Sequence, residues 1–487
     1  MPEKKGDSTE EEMLVELTSA LGRENVSRSE FVRLSYAGDT FWLPLYLLHR
    51  GIELPKPDFV VFPNNTKQVS RVLKIANEYE VPVIPWGGGS GTQGGVLPIK
   101  KGIVVDMKKL NTIEVNEEAM TVTAQAGVFC QELEWALNEN GLTTGHYPAS
   151  MYCATLGGML AARSAGVMST KYGKVEDMVL GLEVVLPTGE VLDTGVRPKF
   201  TGATGPDLNQ LFVGSEGTLG IITKATLQAH PMPEERRFRA FSFRSLHDGY
   251  KAILKLLKKV TPCVIRLYDE EEVRKAKYKT ITPPDVRGAY LILGFDGFKD
   301  MVELEERTAL EICLGEGGFD LGREPGEEWW RERFLHYYPP LSPSSGLPMI
   351  YGTVDVAATF DRLENLYLAI KEGLRQKYRK YALQTAAHFS HWSKSGGMVY
   401  IRFYIFNPPE DPDEAIRLHD DIWATAMEIT AKMRGVINDH HGIGLKLGRF
   451  MKLQYGQSGM EVLRRIKEAL DPKGIMNPGK LGFEVIL

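Results

Sequence analysis

The eleven residues PWGGGSGTQGG, Pro85 to Gly95, hold six glycines. Successive glycines can aim several backbone N–H groups at one anion and let a diphosphate approach the main chain closely. Ser90 and Thr92 add hydroxyl donors. Gly89-Ser-Gly91-Thr-Gln-Gly94 also spells GxGxxG, but a dinucleotide turn of that kind needs a helix directly behind the glycines to supply its anion site. VLPIKKGIVVDM follows instead, with Pro98, Gly102 and a β-branched run. The spacing therefore predicts a backbone nest, against the alternative of a flexible surface turn. Three more segments share this chemistry: GHYPASMYCATLGGMLAARSAG (Gly145–Gly166), Tyr172-Gly173 before a β-run, and VGSEGTLGIIT (Val213–Thr223). The first of these also reads as a small-residue helix packed closely on a neighbour. Together the four segments point to one long ligand with a diphosphate in its middle, held largely by main chain.

Charged and titratable candidates lie further along. In VIRLYDEEE a strand puts Arg266 and Tyr268 on one face and Ile265 and Leu267 on the other. A cation there suits a carboxylate or phosphate, or else a salt bridge to Asp269 or Glu270. In GGMVYIRFYIF, Tyr400, Arg402 and Tyr404 share the polar face, and Tyr400 is a candidate hydrogen bonder or proton relay. Arg402 and Tyr404 equally fit a half-buried amphipathic strand. NDHHGIGLK places His440 beside His441 in a chain with ten histidines. Either could act as a base, and Lys446 could support an anion.

The elements that must position these groups follow from periodicity. Thr9-Glu-Glu-Glu12 reads as a capping box opening a helix that Gly22 ends. PDFVVFP, VPVIPW, GIVVDM, MTVTAQAG, LEVVLPTGEVL and GIITKATLQ are β-like, with one helix over NTKQVSRVLKIANEYE capped by Asn65 or Thr66. From Arg236, strands FRAFSFRS, CVIRLYD, AYLILGFDG and SGGMVYIRFYIF alternate with helices near His247–Val260, Asp300–Leu314, Phe360–Tyr378 and Glu414–Arg434. That pattern suggests an antiparallel sheet covered by helices. A last helix opens at Ser458-Gly-Met-Glu461 and ends before Asp471-Pro472. PPLSPSSGLP, Pro339–Pro348, reads as an exposed loop. The expected fold class is α+β, with boundaries at 1–54, 55–233, 234–434 and 435–487, since 487 residues exceed one ordinary core.

Composition narrows the function classes. A net charge of −5 gives no reason to expect nucleic acid as partner. FWLPLYLLH, the longest apolar run, is short and interrupted by Pro44, so no transmembrane segment is expected. MPEKKGDSTEEE lacks the apolar stretch of a secretory signal. Cys130, Cys153, Cys263 and Cys313 form no CxxC pair, which gives no support to an iron–sulfur or zinc site and fits a reducing cytoplasm. Peripheral membrane association stays open, as does a homodimer.

In this order the motifs PWGGGSGTQGG, TLGG…SAG, the YG turn, SEGTLGII and the terminal DPKGIMNPGKL resemble the vanillyl-alcohol oxidase/p-cresol methylhydroxylase family of flavoproteins, from about Asp58 to the C-terminus. The resemblance implies a two-part FAD-binding domain of the p-cresol methylhydroxylase (PCMH) type. It also implies a cap over the flavin and a tail returning to it. It further implies that Pro85, Trp86, Gly87, Gly88, Gly89, Ser90, Gly91, Thr92 and Gln93 surround the pyrophosphate. Pro148, Ala149, Ser150, Thr155, Gly158, Ala162, Arg163, Ser164, Ala165, Gly166 and Tyr172 would surround the flavin. Glu216, Gly217, Thr218, Leu219, Gly220, Ile221 and Ile222 would lie near the adenine half. Some members attach FAD through a histidine, but GHYPAS around His146 resembles members that bind it noncovalently.

RLYDE, HFSH…GGMVYI and HHGIG are most similar to the alkyldihydroxyacetonephosphate synthase branch, onto which Arg266, Tyr400, His440 and His441 carry over. Asp439 stands where that branch has another histidine, and prolines follow Arg333-Phe334 where it has an arginine for phosphate. The metal-dependent D-2-hydroxy acid dehydrogenases of the family place a second histidine where Met398 stands and a glutamate where His440 stands. No metal is therefore expected at His388, His391, His440 and His441. The implied activity is hydride transfer from a small anionic D-2-hydroxy acid, such as D-lactate or glycolate, to flavin N5. Arg266 would anchor the anion, and His440, His441 and Tyr400 would handle the proton. The electron acceptor is unspecified. The alternatives are a synthase-like exchange of acyl for alkyl on glycerone phosphate, and a flavin-binding subunit of a larger redox complex.

Overall fold

The computed structural model of the chain describes residues 5–198, 203–275, 286, 288–334 and 347–483. The expected loop at Pro339–Pro348 lies outside the described residues up to Gly346. Two sheets build the N-terminal half. A four-stranded sheet runs Val26–Ser27, Phe59–Val61, Ile103–Asp106, Val83–Trp86, its last three strands parallel. Parallel pairing needs a crossover. It is the helix Thr66–Tyr79, capped by Asn65 Oδ1 accepting from Gln68 N at 3.0 Å, with Val69, Val72, Leu73 and Ile75 buried beneath it. Beside it lies a five-stranded antiparallel sheet, Ile113–Asn116, Thr121–Gln125, Ile221–Gln228, Val179–Val185, Val191–Asp193.

A seven-stranded antiparallel sheet forms the other half. Its spatial order is Phe319–Gly322, Glu235–Phe243, Ala289–Gly297, Val264–Tyr268, Gln384–Ser390, Gly396–Ile405, Ile350–Thr359. Alternation along the strands sorts its two faces. Ile265, Leu267, Leu291, Leu293, Val399, Ile401 and Phe403 join one apolar cluster with residues of the helices Leu246–Leu256, Lys299–Gly315, Leu363–Lys377 and Pro412–Lys432. Each fully buried Leu, Ile or Phe contributes about 1.5–3 kcal/mol, so this layer holds the sheet rigid. The opposite face carries Tyr268, His388, Tyr400 and Asp355 and looks toward the glycine-rich segments.

Three local expectations are corrected. The first helix begins at Lys5, ahead of Thr9, and ends at Leu21 with Gly22 at φ 89°. Pro44 does not interrupt the apolar run: it lies in the first turn of the helix Trp42–His49, where its missing N–H costs nothing. The last helix begins at Met451 and not Ser458, with a non-helical bend at Gly456 (φ 66°).

After that helix the tail returns to the parallel sheet. Ile475 O accepts from Val83 N at 2.8 Å, and Asn477 N donates to Val83 O at 2.8 Å. Lys467, 8% exposed, donates to Thr218 O at 2.8 Å and Met476 O at 2.9 Å and pairs with Asp471. Removing one partner of a buried ion pair leaves the other uncompensated. Lys467→Met is therefore expected to lower unfolding free energy by about 3–5 kcal/mol, read as a shifted urea midpoint with unchanged slope.

Candidate active site

Two loops press together at the expected anion cradle. A Cβ at Gly87 would lie 2.2 Å from Thr155 Oγ1, and one at Gly88 1.7 Å from Cys153 O, so only glycine fits at either position. No helix follows the glycines; the chain turns and enters the strand Ile103–Asp106, as the nest reading requires. Thr155 caps the short helix Leu156–Ala162 by accepting from Gly158 N, and Gly157 packs that helix onto Ala126. Both readings of that segment thus hold together, a small-residue helix and a cavity wall. A single cavity of about 880 Å³ is lined by Pro85 to Gln93, Pro148 to Ser150, Thr155, Gly158, Ala162, Ser164, Ala165, Glu216, Gly217 and Gly220 to Ile222. Within it Thr92 Oγ1 and both amide atoms of Gln93 are buried with no partner among the described residues. Orphaned polar atoms beside glycine backbone suit a long polar ligand with a diphosphate.

Opposite the cradle, sheet register assembles the titratable groups. Tyr290, Tyr268, His388, Tyr400 and Asp355 are direct cross-strand neighbours in one row. Arg266 lies two residues from Tyr268 on the same strand and donates from Nη2 to His388 Nε2 at 3.0 Å. Neither expected salt bridge forms. Asp269 accepts from Tyr367 Oη and Glu270 from Leu246 N, and among the described residues no carboxylate pairs with Arg266. The His388 ring stacks on Tyr400, centroids 4.8 Å apart.

The NDHHGIG turn enters beside this row. Asp355 Oδ2 accepts from His440 N at 3.0 Å and His441 N at 3.2 Å, and its Oδ1 lies 2.9 Å from His441 Nδ1. Asp439 Oδ2 lies 3.0 Å from His391 Nδ1 and 3.1 Å from His440 Nδ1, and its Oδ1 accepts from Lys174 Nζ at 2.7 Å. His391 is held at φ 50°, a left-handed conformation that a non-glycine residue adopts only under constraint. The far side of the turn is tied to the cradle. Glu216 accepts from Ile443 N at 2.5 Å and Gly444 N at 2.7 Å.

Burial sets the protonation pattern. It pushes the His440 imidazole down to about 4, aided by His441 and His391, and the His388 imidazole well below its usual value, aided by Arg266. Burial also acts to raise Asp355 and Asp439, but their histidine and lysine partners outweigh it and hold both carboxyls ionised. Burial lifts Glu216 to about 7, against the pull of its two backbone donors. Lys446, 9% exposed, sits over the Trp423 ring at 3.4 Å, and burial drives its ammonium well below the usual range. Two sets of residues bring three ligand atoms within 4.8 Å of one another: Asp355, His440 and His441; and His391, Asp439 and His440. Lys174 already supplies the positive charge at the second.

Arg266, Tyr400, His440, His441 and Lys446 all line the cavity. Arg163, Gly166, Tyr172, Thr218 and Leu219 do not appear in its wall. Arg163 reaches Gln210 Oε1 at 2.7 Å, and Tyr172 Oη donates to Asp296 at 2.9 Å. His146 is fully buried, both ring nitrogens unpartnered among the described residues, and is likewise not in the wall. Several wall residues escape sequence reasoning. Asp39, Thr40 and Trp42 come from the N-terminal segment, where no motif marks them. Asp355, buried outside the wall behind the histidine turn, had a signal, since an acid at the centre of the alternating run IYGTVDVAAT must face something polar. Arg402 pairs with Glu272, which accounts for its polar face.

The chain matches the FAD binding domain family over residues 57–195 and the family described as FAD linked oxidases, C-terminal domain, over 232–481. It is 29% identical to alkyldihydroxyacetonephosphate synthase of Trypanosoma brucei brucei, covering 96% of this chain and 80% of that one. It is 31% identical to a probable mitochondrial D-lactate dehydrogenase of Danio rerio, covering 97% and 92%. Among solved structures, p-cresol methylhydroxylase with substrate bound superposes at a TM-score of 0.77 over 100% of this chain and 99% of that one, with 19% identity, which establishes a shared fold. The chain belongs to the FAD-linked oxidases, flavoenzymes with a PCMH-type FAD-binding domain, and FAD is its cofactor. When bound, FAD supplies the two-electron chemistry. Among the described residues no helix is long and apolar enough to cross a membrane.

A histidine whose folded value is lowered binds its proton less readily than in the unfolded chain. Such a group contributes stability above its unfolded value and loses it as pH falls toward its folded one. His440 is accordingly expected to stay neutral from pH 8 down to pH 5 in imidazole ¹⁵N spectra of the holoenzyme, titrating only near pH 4.

Proposed function

We propose that this flavoenzyme oxidises a small D-2-hydroxy acid, delivering the α-hydrogen as hydride to flavin N5. The observation that carries the reading is a guanidinium, Arg266, with no carboxylate partner among the described residues, standing beside a neutral histidine and a tyrosine in the wall of the FAD cavity. Arg266 holds the substrate carboxylate through charge-assisted hydrogen bonds. His441, oriented by Asp355 at Nδ1, accepts the hydroxyl proton, and neutral His440 completes the polar wall. Tyr400, stacked on His388, lies 5.3 Å from the His441 ring and positions the hydroxyl. Anaerobic addition of D-lactate or glycolate is expected to bleach the oxidised flavin band, with L-lactate inert. Arg266→Met is expected to lower kcat/KM by about 10²- to 10³-fold, mostly through KM, as loss of a buried charge-assisted contact does. His441→Asn should act mainly on kcat, by about 10²-fold or more.

A second reading, exchange of an acyl for an alkyl chain on glycerone phosphate, draws support from the identity to alkyldihydroxyacetonephosphate synthases and from the resemblance of the HFSH…GGMVYI and HHGIG segments to that branch. Alkyl incorporation from a fatty alcohol with no flavin bleaching by any hydroxy acid would favour it.

The FAD is bound noncovalently in this reading, because His146 is buried outside the cavity wall. Acid precipitation of the holoenzyme should leave a colourless pellet and a yellow supernatant.

A further inference from the structure

Arg266 has a counterpart. Arg333, near the end of the helix Glu324–Glu332, also lines the cavity. Its guanidinium lies 3.5 Å from the Trp330 ring centroid and 4.3 Å from that of Phe334, and one Nη donates to Trp330 O. Arg266 lies 5.7 Å from the Trp329 ring centroid, and the Trp329 and Trp330 rings are 6.5 Å apart. Two cations thus stand on consecutive aromatic faces of one wall. Both Nε atoms are buried without a partner among the described residues, and no carboxylate there forms an ion pair with either guanidinium. The sequence after Phe334, Leu335 to Gly346, contains no Asp or Glu. Of the acids in the wall, Glu272 pairs with Arg402, Glu216 accepts from the turn at Ile443 and Asp39 accepts from Phe41 N and Gly94 N, while Glu332, the chain neighbour of Arg333, forms no ion pair with it among the described residues. Burying two guanidinium groups costs more than stacking on aromatic rings returns, unless anions complete them. Burial also pulls Arg333 down to about 10, so it is a cation at neutral pH with no carboxylate partner among the described residues.

We propose that the substrate is a dianion, its second anionic group held by Arg333 while Arg266 holds the first. The shared chemistry is two clusters of anionic oxygen, as in a 2-hydroxy dicarboxylate or a phosphorylated hydroxy compound. The inference deepens the hydroxy-acid reading and rests on it for the reaction, but it can be tested by binding alone.

The test titrates the oxidised holoenzyme with inert anions and follows the flavin absorbance. Acetate and propionate form the monoanion arm, malonate and succinate the dicarboxylate arm, and inorganic phosphate the phosphate arm. At least one dianion arm is expected to bind about 10-fold or more tightly than the monoanions, and the tighter arm names the second group. In Arg333→Gln that preference should collapse by about 10- to 100-fold, the range for loss of a charged hydrogen bond. Arg333→Lys, which keeps the charge, should restore part of it. A wild-type ratio near one overturns the proposal. So does a preference that survives Arg333→Gln, or an Arg333→Gln protein that sheds its FAD, which would make Arg333 a cofactor anchor. A dianion preference without flavin bleaching by any hydroxy acid would instead overturn the reaction and leave the dianion site standing.

Discussion

The site depends on strand register. Tyr290, Tyr268, His388, Tyr400 and Asp355 come from five strands and meet only because each pairing places them in one row. A slip of one residue at any pairing would turn the polar residues of that strand into the helix-covered layer and its apolar residues into the cavity. The helices packed on Leu267, Val399 and Ile401 forbid that slip, since a buried charge or unpaired polar group there would cost several kcal/mol. The hydrophobic layer is what makes the catalytic wall repeatable.

Three parts of the chain complete the cavity, and charged contacts hold them in place. Glu216, from a loop of the FAD-binding half, receives the amides of Ile443 and Gly444. Lys174 of the same half reaches Asp439 in that turn. Lys467 and Asn477 fasten the tail, the latter donating to Gly95 O at 2.8 Å and Glu216 O at 2.7 Å. The histidine turn is therefore gripped from the flavin side by Glu216 and Lys174 and from the cap side by Asp355.

Charge accounting separates structural from functional groups. Arg402, Lys174 and Lys467 each find a carboxylate, so their burial is balanced. Arg266 and Arg333 find aromatic faces and a neutral imidazole. Such imbalance is a cost to the folded chain that the anion we propose would remove.

Much of this was legible in the chain itself. Glycine spacing without a following helix pointed to a close main-chain approach, and only glycine allows the one seen at Gly87 and Gly88. Alternation in VIRLYD and MVYIRFYIF put Arg266 and Tyr400 on cavity faces, because side chains on a strand must alternate. Helix ends were less legible, since Lys5 and Met451 lie ahead of the capping patterns at Thr9 and Ser458. What only the tertiary structure decided is partnership across distance. Asp355 meets His441, Glu216 meets Ile443, Trp42 joins the wall, and among the described residues Arg402 is neutralised while Arg266 is not. Local periodicity determines which way a side chain faces. Which residue stands opposite is determined by strand order and docking, and these arise from packing summed over the whole chain.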